Sequence, residues 1–151
     1  MAGAGGTGIV YYSLIKTLEQ HADELRSAWG TERVEIYHGK LEPEQKKKVY
    51  DRFTASEPGD GLMLLATNAF GMGVDKPDIR YIAHAQVPGS IESYYQEIGR
   101  AGRDGEASRC LLLYEKSDLG IQQEFIEWMN PSADLLELAA LEISNSPNGS
   151  L

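Results

Sequence analysis

The sequence is constrained most by five short apolar runs, which are separated from one another by helical or turn-rich segments. The runs cover Ile9–Tyr12, Val34–Tyr37, Leu62–Ala66, Tyr81–Ala83 and Cys110–Tyr114. Their apolar character is continuous rather than alternating, which is typical of strands buried on both faces of a parallel sheet. Helices then cover both faces of such a sheet. The pattern therefore predicts an α/β fold with a parallel sheet of five or six strands.

Between the runs, apolar residues recur at helical spacing. The first helix is predicted to begin after an N-cap at Ser13 and to end at Gly30, with an apolar face made of Leu14, Leu18, Ala22, Leu25 and Trp29. The second begins at Pro43, because proline is favoured at the first helical position. The third covers residues 90–99. The fourth has one apolar face, which consists of Ile121, Phe125, Trp128 and Met129.

The composition is typical of one soluble globular domain, with 151 residues of which 42% are hydrophobic and 25% charged. Cys110 is the single cysteine, which excludes an intrachain disulfide, and with three histidines it forms no zinc-binding pattern. No apolar stretch reaches the ~18 residues of a membrane span, and the N-terminus lacks the features of a signal peptide. We expect a soluble, cytoplasmic, monomeric protein that holds no metal of its own.

Charge is distributed unevenly along the chain. The net charge of −9 opposes a simple reading as a nucleic-acid binder, because duplex affinity comes largely from lysine and arginine. Residues 115–151 hold seven acidic residues and one basic residue, a net charge of −6, which leaves 16 acidic and 13 basic residues, or −3, in residues 1–114. The acidity therefore lies mostly in the C-terminal part.

The chain divides into three segments. Residues 1–7 are rich in glycine and are predicted to be a flexible N-terminus or a vector remnant. Residues 8–130 are predicted to form the domain. Residues 131–151 are predicted to be a C-terminal helix and tail that begin a missing downstream region, because residues 134–143 are apolar nearly all round and such a helix needs partners on several sides.

The most informative segment covers residues 94–105, where Arg100 and Arg103 are interleaved with three glycines that are also three residues apart. Glycine lets the backbone approach a ligand or another domain closely, and arginine presents a planar fork of donors that suits phosphate oxygens. The pattern favours a phosphate-directed arginine pair at the C-terminal end of a helix. The alternative is a glycine-rich connection whose arginines are solvated or neutralise the helix dipole.

A second candidate segment, residues 66–78, directly follows the most apolar run. Ligands of open α/β folds bind outside the carboxyl ends of the strands, so polar and glycine residues here lie where a site is expected. Thr67 and Asp75 are the candidate contacts. The same residues would also suit a tight turn in which Asp75 or Asp78 caps the local backbone.

Together the two segments resemble motifs V and VI of superfamily 2 helicases, and specifically those of the RecQ family. The likeness covers residues 8–128 and is carried by Gly8–Tyr12 (motif IV), Tyr37–Leu41 (motif IVa), Gly73–Arg80, His84, Pro88 and Ser90–Gly105. Two positions depart from the family pattern: Lys16 is the only basic residue where an arginine usually follows the motif IV strand, and Lys40 replaces a common glycine. The resemblance implies a RecA-like fold, the second such domain of an ATP-dependent DNA helicase.

The resemblance also implies roles for individual residues. Arg103 and Arg100 would face a triphosphate held by the first RecA-like domain of the same full-length chain, with Arg103 as the better candidate for an arginine finger. Three further residues would help to hold the nucleotide or the finger: Asp75, Gly73 and Gln96. The residues that would contact the DNA backbone are Thr67, His38, Lys40 and Asn68.

The sequence contains neither a Walker A loop of the form Gly-x-x-x-x-Gly-Lys-[Ser/Thr] nor an Asp-Glu-Ala-His-like box. We therefore expect this chain to be one of two motor domains and to be unable to hydrolyse ATP alone, because ATP and Mg²⁺ would be bound mainly by the missing first domain. The resemblance implies DNA as partner, DNA repair or recombination as the process, and the bacterial cytoplasm or nucleoid as the location. The alternative is a non-catalytic nucleic-acid or protein-binding module with the same fold, which the acidic C-terminal part favours.

Other conspicuous residues are expected to be structural. Lys46–Lys48 predicts a solvated helix face. Tyr94, Tyr95 and Trp128 are predicted to pack in the core rather than to stack on bases. Cys110 is predicted to be a small buried residue of a strand.

Overall fold

The computed structural model describes residues 6–71, 74–130, 133–134, 137–138 and 141. Its strands are β1 (Thr7–Tyr11), β2 (Val34–Tyr37), β3 (Met63–Ala66), β4 (Ile79–His84) and β5 (Arg109–Leu112). Its α-helices are α1 (Ile15–Trp29), α2 (Pro43–Ala55), α3 (Ile91–Ile98) and α4 (Lys116–Met129). Short 3₁₀ turns precede two of the strands, at Thr31–Arg33 and Pro58–Asp60.

The strands form one parallel sheet in the order β2-β3-β1-β4-β5. Because all of them run in the same direction, their carboxyl ends meet at one edge of the sheet, and the loops that follow Tyr11, Tyr37, Ala66 and His84 begin there. The predicted α/β architecture is confirmed, with five strands among the described residues. The edge is also where ligands of this kind of sheet bind.

Helices cover both faces of the central strands. Leu64 and Leu65 are fully buried although successive strand residues point to opposite faces. Leu64 packs in a cluster with Phe53 of α2, and Leu65 packs in a second cluster with Leu18 of α1. This two-sided burial explains why the apolar runs are continuous rather than alternating.

Local signals set most helix ends. Pro43 is the first residue of α2, and Gly30 ends α1 with a φ of 101° that favours glycine. Ser90 caps α3, since its side chain accepts a hydrogen bond from the Ser93 N–H. The Ser13 cap is a wrong prediction: the N-cap of α1 is Leu14, without a side-chain bond. The Ser13 hydroxyl instead donates to the Val87 carbonyl, and this tertiary contact replaces the local one.

Burial is wrongly predicted for the side of the domain formed by β5 and α4. Cys110 is exposed, as is all of β5, because this edge strand pairs only with β4 and no described element covers its outer side. Trp128 is 86% exposed and Tyr95 74% exposed, whereas Tyr94 packs on a histidine ring as an interior residue would. The lysine run is solvated as predicted, with Lys47 paired to Asp51.

The N-terminal boundary also needs correction. Gly6 and Thr7 are buried, and Thr7 begins β1, so these two residues belong to the domain rather than to a flexible segment 1–7. Residues 1–5 lie outside the described residues, and so does most of the predicted helix 134–143.

Candidate functional site

An open cleft of about 600 Å³ lies between the loop after β3 and the C-terminal end of α3. Four residues that were predicted for the nucleotide site line it, namely Asp75, Gln96, Arg100 and Arg103. The rest of the lining consists of Gly71, Val74, Tyr95 and Gly99. The structure thus brings together side chains from both candidate segments. Gly73, the fifth predicted residue, lies outside the described residues.

The turn after α3 directs its two arginines toward the same cleft. Hydrogen bonds from the N–H of Arg100 to the Glu97 carbonyl (3.2 Å) and from the N–H of Gly102 to the Ile79 carbonyl (3.0 Å) tie this turn to α3 and to β4. Gly102 has a φ of 60°, and a Cβ there would lie 2.7 Å from the Glu106 carbonyl oxygen. Glycine is therefore required by backbone conformation and packing at this position, a reason the sequence pattern did not disclose.

Arg103 is exposed but anchored. Its Nε donates to the Gly99 carbonyl at 3.2 Å, and its Nη1 donates to the Val74 carbonyl at 3.3 Å. The two bonds bridge the end of α3 and the loop after β3. Since a guanidinium carries five N–H donors, this anchoring holds its plane and leaves donors for an anionic ligand.

Arg100 is half-buried, and its guanidinium lies beside Gly71 of the loop after β3. Its Nη2 lies 2.8 Å from the position that a Cβ on Gly71 would occupy, so Gly71 makes room for the guanidinium. Its Nε is buried and has no hydrogen-bond partner among the described residues. Because this Nε is out of reach of a ligand, a phosphate in the cleft would meet the terminal nitrogens of the guanidinium.

Behind Arg100 lies a buried group that the sequence predictions did not assign to any site. The Nε2 of His84 is 2.7 Å from the Oε2 of Glu97, and the ring of Tyr11 stacks on that of His84. Burial raises the pKa of Tyr11 above its ordinary value of 10.0, against which the Arg100 guanidinium acts to lower it. The sequence held one signal for this group: a histidine at the end of an apolar strand and a glutamate on a helix, two ionisable residues in segments that were expected to be buried.

The predicted nucleic-acid residues gather at the carboxyl ends of β2 and β3, which are neighbours in the sheet. His38 and Thr67 are buried, each with 6% exposure, whereas Lys40 and Asn68 are exposed. The Nε2 of His38 lies 3.6 Å from the Oε1 of Glu19. This edge therefore offers two exposed polar side chains above two buried ones.

A charged brace supports the loop that precedes β4. Lys76 is buried and its Nζ lies 3.0 Å from the Oδ1 of Asp78. Arg80 binds Asp104 in a bidentate way, through Nη1 and Nη2. Hydrogen bonding to Arg80 lowers the pKa of Asp104 below its ordinary value of 3.8. Asp78 is thus paired with Lys76, whereas the Asp75 side chain is exposed in the cleft.

Two further observations concern metal sites and membrane-spanning helices. Among the described ranges, no three His, Cys, Asp or Glu side chains come together as a metal site would require. None of the helices in that part of the chain is long and apolar enough to cross a membrane.

Comparison with known proteins finds relatives among helicases. Residues 1–105 match the family model of the helicase conserved C-terminal domain. The chain is 43% identical over 120 residues to the ATP-dependent DNA helicase RecQ of Bacillus subtilis, covering 80% of this chain and 20% of that protein. It is 42% identical over 118 residues to the ATP-dependent DNA helicase Q1 of Mus musculus, covering 76% and 17% of the two chains.

Solved structures give the same fold. Domain 2 of the DEAD-box helicase Mss116p, bound to an RNA duplex, superposes with a TM-score of 0.68 at 18% identity and covers 96% of this chain and 60% of that one. At this identity the likeness concerns the RecA-like fold alone.

The fold and the matches thus define a class of protein, the RecA-like C-terminal domains of helicases. This chain belongs to that helicase C-terminal domain family and, within it, to the RecQ type. It spans about a fifth of the length of the RecQ relatives named above.

Proposed function

We propose that this chain is the second motor domain of an ATP-dependent DNA helicase, and that it supplies the arginine finger to a nucleotide held mainly by a first domain. The observation that carries the proposal is the cleft into which Arg100 and Arg103 converge beside Asp75 and Gln96. Two guanidiniums on one open surface form a receptor for phosphate oxygens. The relatives that are called ATP-dependent DNA helicases support the identity of the nucleotide and of the nucleic acid.

The residues present fit half of an ATP site. Bound ATP would supply the phosphoanhydride bond that is cleaved, and Mg²⁺ would be held with it chiefly by the first domain. Arg103 is the better finger because its guanidinium is exposed and fixed by two backbone carbonyls. A finger stabilises the charge of the transition state and contributes a factor of about 10³ to 10⁵ to the rate, but only when domain closure brings it to the phosphate. The isolated chain would therefore be inactive as an ATPase.

The edge at the carboxyl ends of β2 and β3 is the proposed contact with DNA. Lys40 and Asn68 are exposed there and would bind backbone phosphates, whereas the buried His38 and Thr67 would shape the surface beneath them. The net charge of −9 makes affinity of the isolated chain low, since few phosphates would be neutralised. We place the activity in the cytoplasm or nucleoid of a bacterium, in DNA repair or recombination, with the chain itself monomeric.

Substitution of Arg103 in the full-length protein tests the proposal. We expect Arg103→Ala to lower DNA-stimulated ATP turnover by about 10³-fold or more, with nearly unchanged nucleotide affinity, since the interaction is made chiefly in the transition state. Arg103→Lys should rescue poorly, because an ammonium keeps the charge and loses the planar fork. Lys47→Ala, a remote exposed lysine on α2, is the matched control and should leave turnover unchanged.

Near-normal turnover in Arg103→Ala would reject the finger assignment, and the same measurement on Arg100→Ala would then decide whether its neighbour holds the role. If both variants turn over normally while the isolated chain binds nucleic acid with submicromolar affinity near physiological salt, the domain is a binding module instead.

A further inference from the structure

A buried hydrogen bond between a histidine and a glutamate joins the end of β4 to α3. His84 is 1% exposed, and its Nε2 lies 2.7 Å from the Oε2 of Glu97. This distance suits an Nε2–H that donates to the carboxylate. A buried, charge-assisted bond of this kind has little freedom to rearrange, because either partner left alone would be an unpaired polar group. The pair therefore fixes the last turn of α3 relative to the sheet.

The same histidine holds Tyr11 in place. The Tyr11 and His84 rings are stacked, with centroids 5.3 Å apart and an angle of 22° between their planes. Tyr94 packs on His84 as well, at 5.0 Å between centroids. Tyr11 itself is only 3% exposed, so its ring is held by packing rather than by solvent contacts. Packing thus determines where the Tyr11 hydroxyl lies.

That hydroxyl bonds to the loop against which the Arg100 side chain lies. It donates to the Phe70 carbonyl, 3.5 Å away, and the nearby Arg100 guanidinium lowers the pKa of this hydroxyl against the larger, raising effect of burial. Phe70 immediately precedes Gly71, the residue whose missing Cβ makes room for the Nη2 of Arg100. The guanidinium of Arg100 is therefore bounded by a fixed hydroxyl and by the backbone of the loop after β3.

Arg103 is held differently, by the carbonyls of Gly99 and Val74 and by no side chain of this buried group. From this difference we infer that Tyr11 is a positioning residue for Arg100, and that the His84–Glu97 pair holds Tyr11 in the orientation this requires. The inference rests on the proposed function, because it gives Arg100 a defined direction in the nucleotide cleft. It assigns to the strand of motif IV a task in nucleotide chemistry that is separate from any contact with DNA.

Side-chain relaxation in the 151-residue chain tests the positioning directly. The ¹⁵Nε–H groups of arginine report the mobility of each guanidinium. We expect Tyr11→Phe, which keeps the ring and removes only the hydroxyl, to lower the order parameter of the Arg100 Nε and to leave that of Arg103 unchanged. Glu97→Gln keeps an acceptor for His84 and should preserve the order of Arg100, whereas Glu97→Leu should lose it.

Turnover of the full-length protein tests the consequence. We expect Tyr11→Phe to lower the kcat of DNA-stimulated ATP hydrolysis by about 10- to 100-fold, since misplacement by about 1 Å can cost 10²-fold. In an Arg100→Ala background the same change should have no further effect, because two residues that act through one group are not additive. Tyr114→Phe, at an exposed tyrosine that follows β5, is the control for loss of a tyrosine hydroxyl.

The outcomes separate this inference from the function on which it rests. Unchanged Arg100 order in Tyr11→Phe would overturn the inference, as would an equal loss of turnover with and without Arg100. Normal turnover in Arg100→Ala would instead reject the role of Arg100 in hydrolysis, while the relaxation measurement would still decide whether Tyr11 positions it.

Discussion

The two candidate ligand surfaces of this domain hold their side chains in different ways. In the nucleotide cleft the functional groups are arginines, and Arg103 is anchored by bonds to two backbone carbonyls. At the carboxyl ends of β2 and β3, the exposed candidates Lys40 and Asn68 stand on loops above buried neighbours. Stabilisation of a transition state requires a fixed direction, whereas contact with a nucleic-acid backbone tolerates a flexible point charge.

The glycines of the two surfaces also differ in how closely other atoms approach them. A Cβ on Gly71 would meet the Arg100 guanidinium, and one on Gly102 would meet a backbone carbonyl. A Cβ on Gly39, beside Lys40, would have no atom within 4 Å. The glycines of the candidate nucleotide cleft are thus closely packed, whereas Gly39 at the proposed DNA-facing edge is not.

Substitution of Gly102 should produce the largest effect. Gly102→Ala combines a φ of 60° with a contact of 2.7 Å to a backbone oxygen, so we expect a loss of about 3 kcal/mol in the free energy of unfolding. Gly105→Ala has a φ of 84° with nothing within 4 Å and should lose only about 1 kcal/mol, the strain alone. Urea denaturation measures both, and equal losses would show that packing around Gly102 is not tight.

Gly71→Ala should affect turnover more than stability. The new methyl group would displace the end of a flexible arginine, which costs little in folding, but it moves Arg100 from its position in the cleft. We expect about a 10-fold decrease in ATP turnover of the full-length protein and a change of less than about 0.5 kcal/mol in unfolding. Gly39→Ala is the matched control at the other surface and should change neither. Full turnover in Gly71→Ala would mean that Arg100 tolerates displacement.

Substitutions at the DNA-facing edge should have smaller effects. Lys40→Ala should weaken single-stranded DNA binding by the full-length protein and reduce the slope of log affinity against log salt by about 0.7, the contribution of one phosphate contact. Asn68→Ala should weaken binding without changing that slope, because it removes no charge. Titrations at several salt concentrations measure both, and an unchanged slope in Lys40→Ala would remove this lysine from the interface.

The smallest effect should be a dependence of stability on pH at the brace behind the cleft. Arg80 lowers the pKa of Asp104 in the folded protein, so the pair stabilises the fold at pH values above the ordinary pKa of 3.8. That contribution is lost as the pH falls through the folded pKa, and solvent screening keeps it small. Asp104→Asn should therefore flatten the acid side of the stability profile, compared by urea midpoints between about pH 5 and pH 2. Parallel profiles for the two proteins would contradict this role.

From the amino-acid sequence one could predict the apolar strands, the residues at which α2 and α3 begin, and the arginine pair of the candidate cleft. Pro43 and Ser90 act on the residues next to them, and continuous apolar runs report burial on two faces wherever the strands lie. The arginine pair could be predicted for the same reason, since one turn of backbone carries both residues to the same cleft.

The surroundings of these residues depend on contacts between segments that are distant in the sequence. Ser13 bonds to Val87 instead of capping its helix, Tyr11 reaches the Phe70 carbonyl 59 positions away, and Trp128 is exposed although its helical spacing predicted the core. A periodic pattern identifies an apolar face, but it does not specify which element covers that face. Contacts between distant segments depend on strand order and helix packing, and the positioning of Arg100 by Tyr11 is a property of those contacts rather than of any local motif.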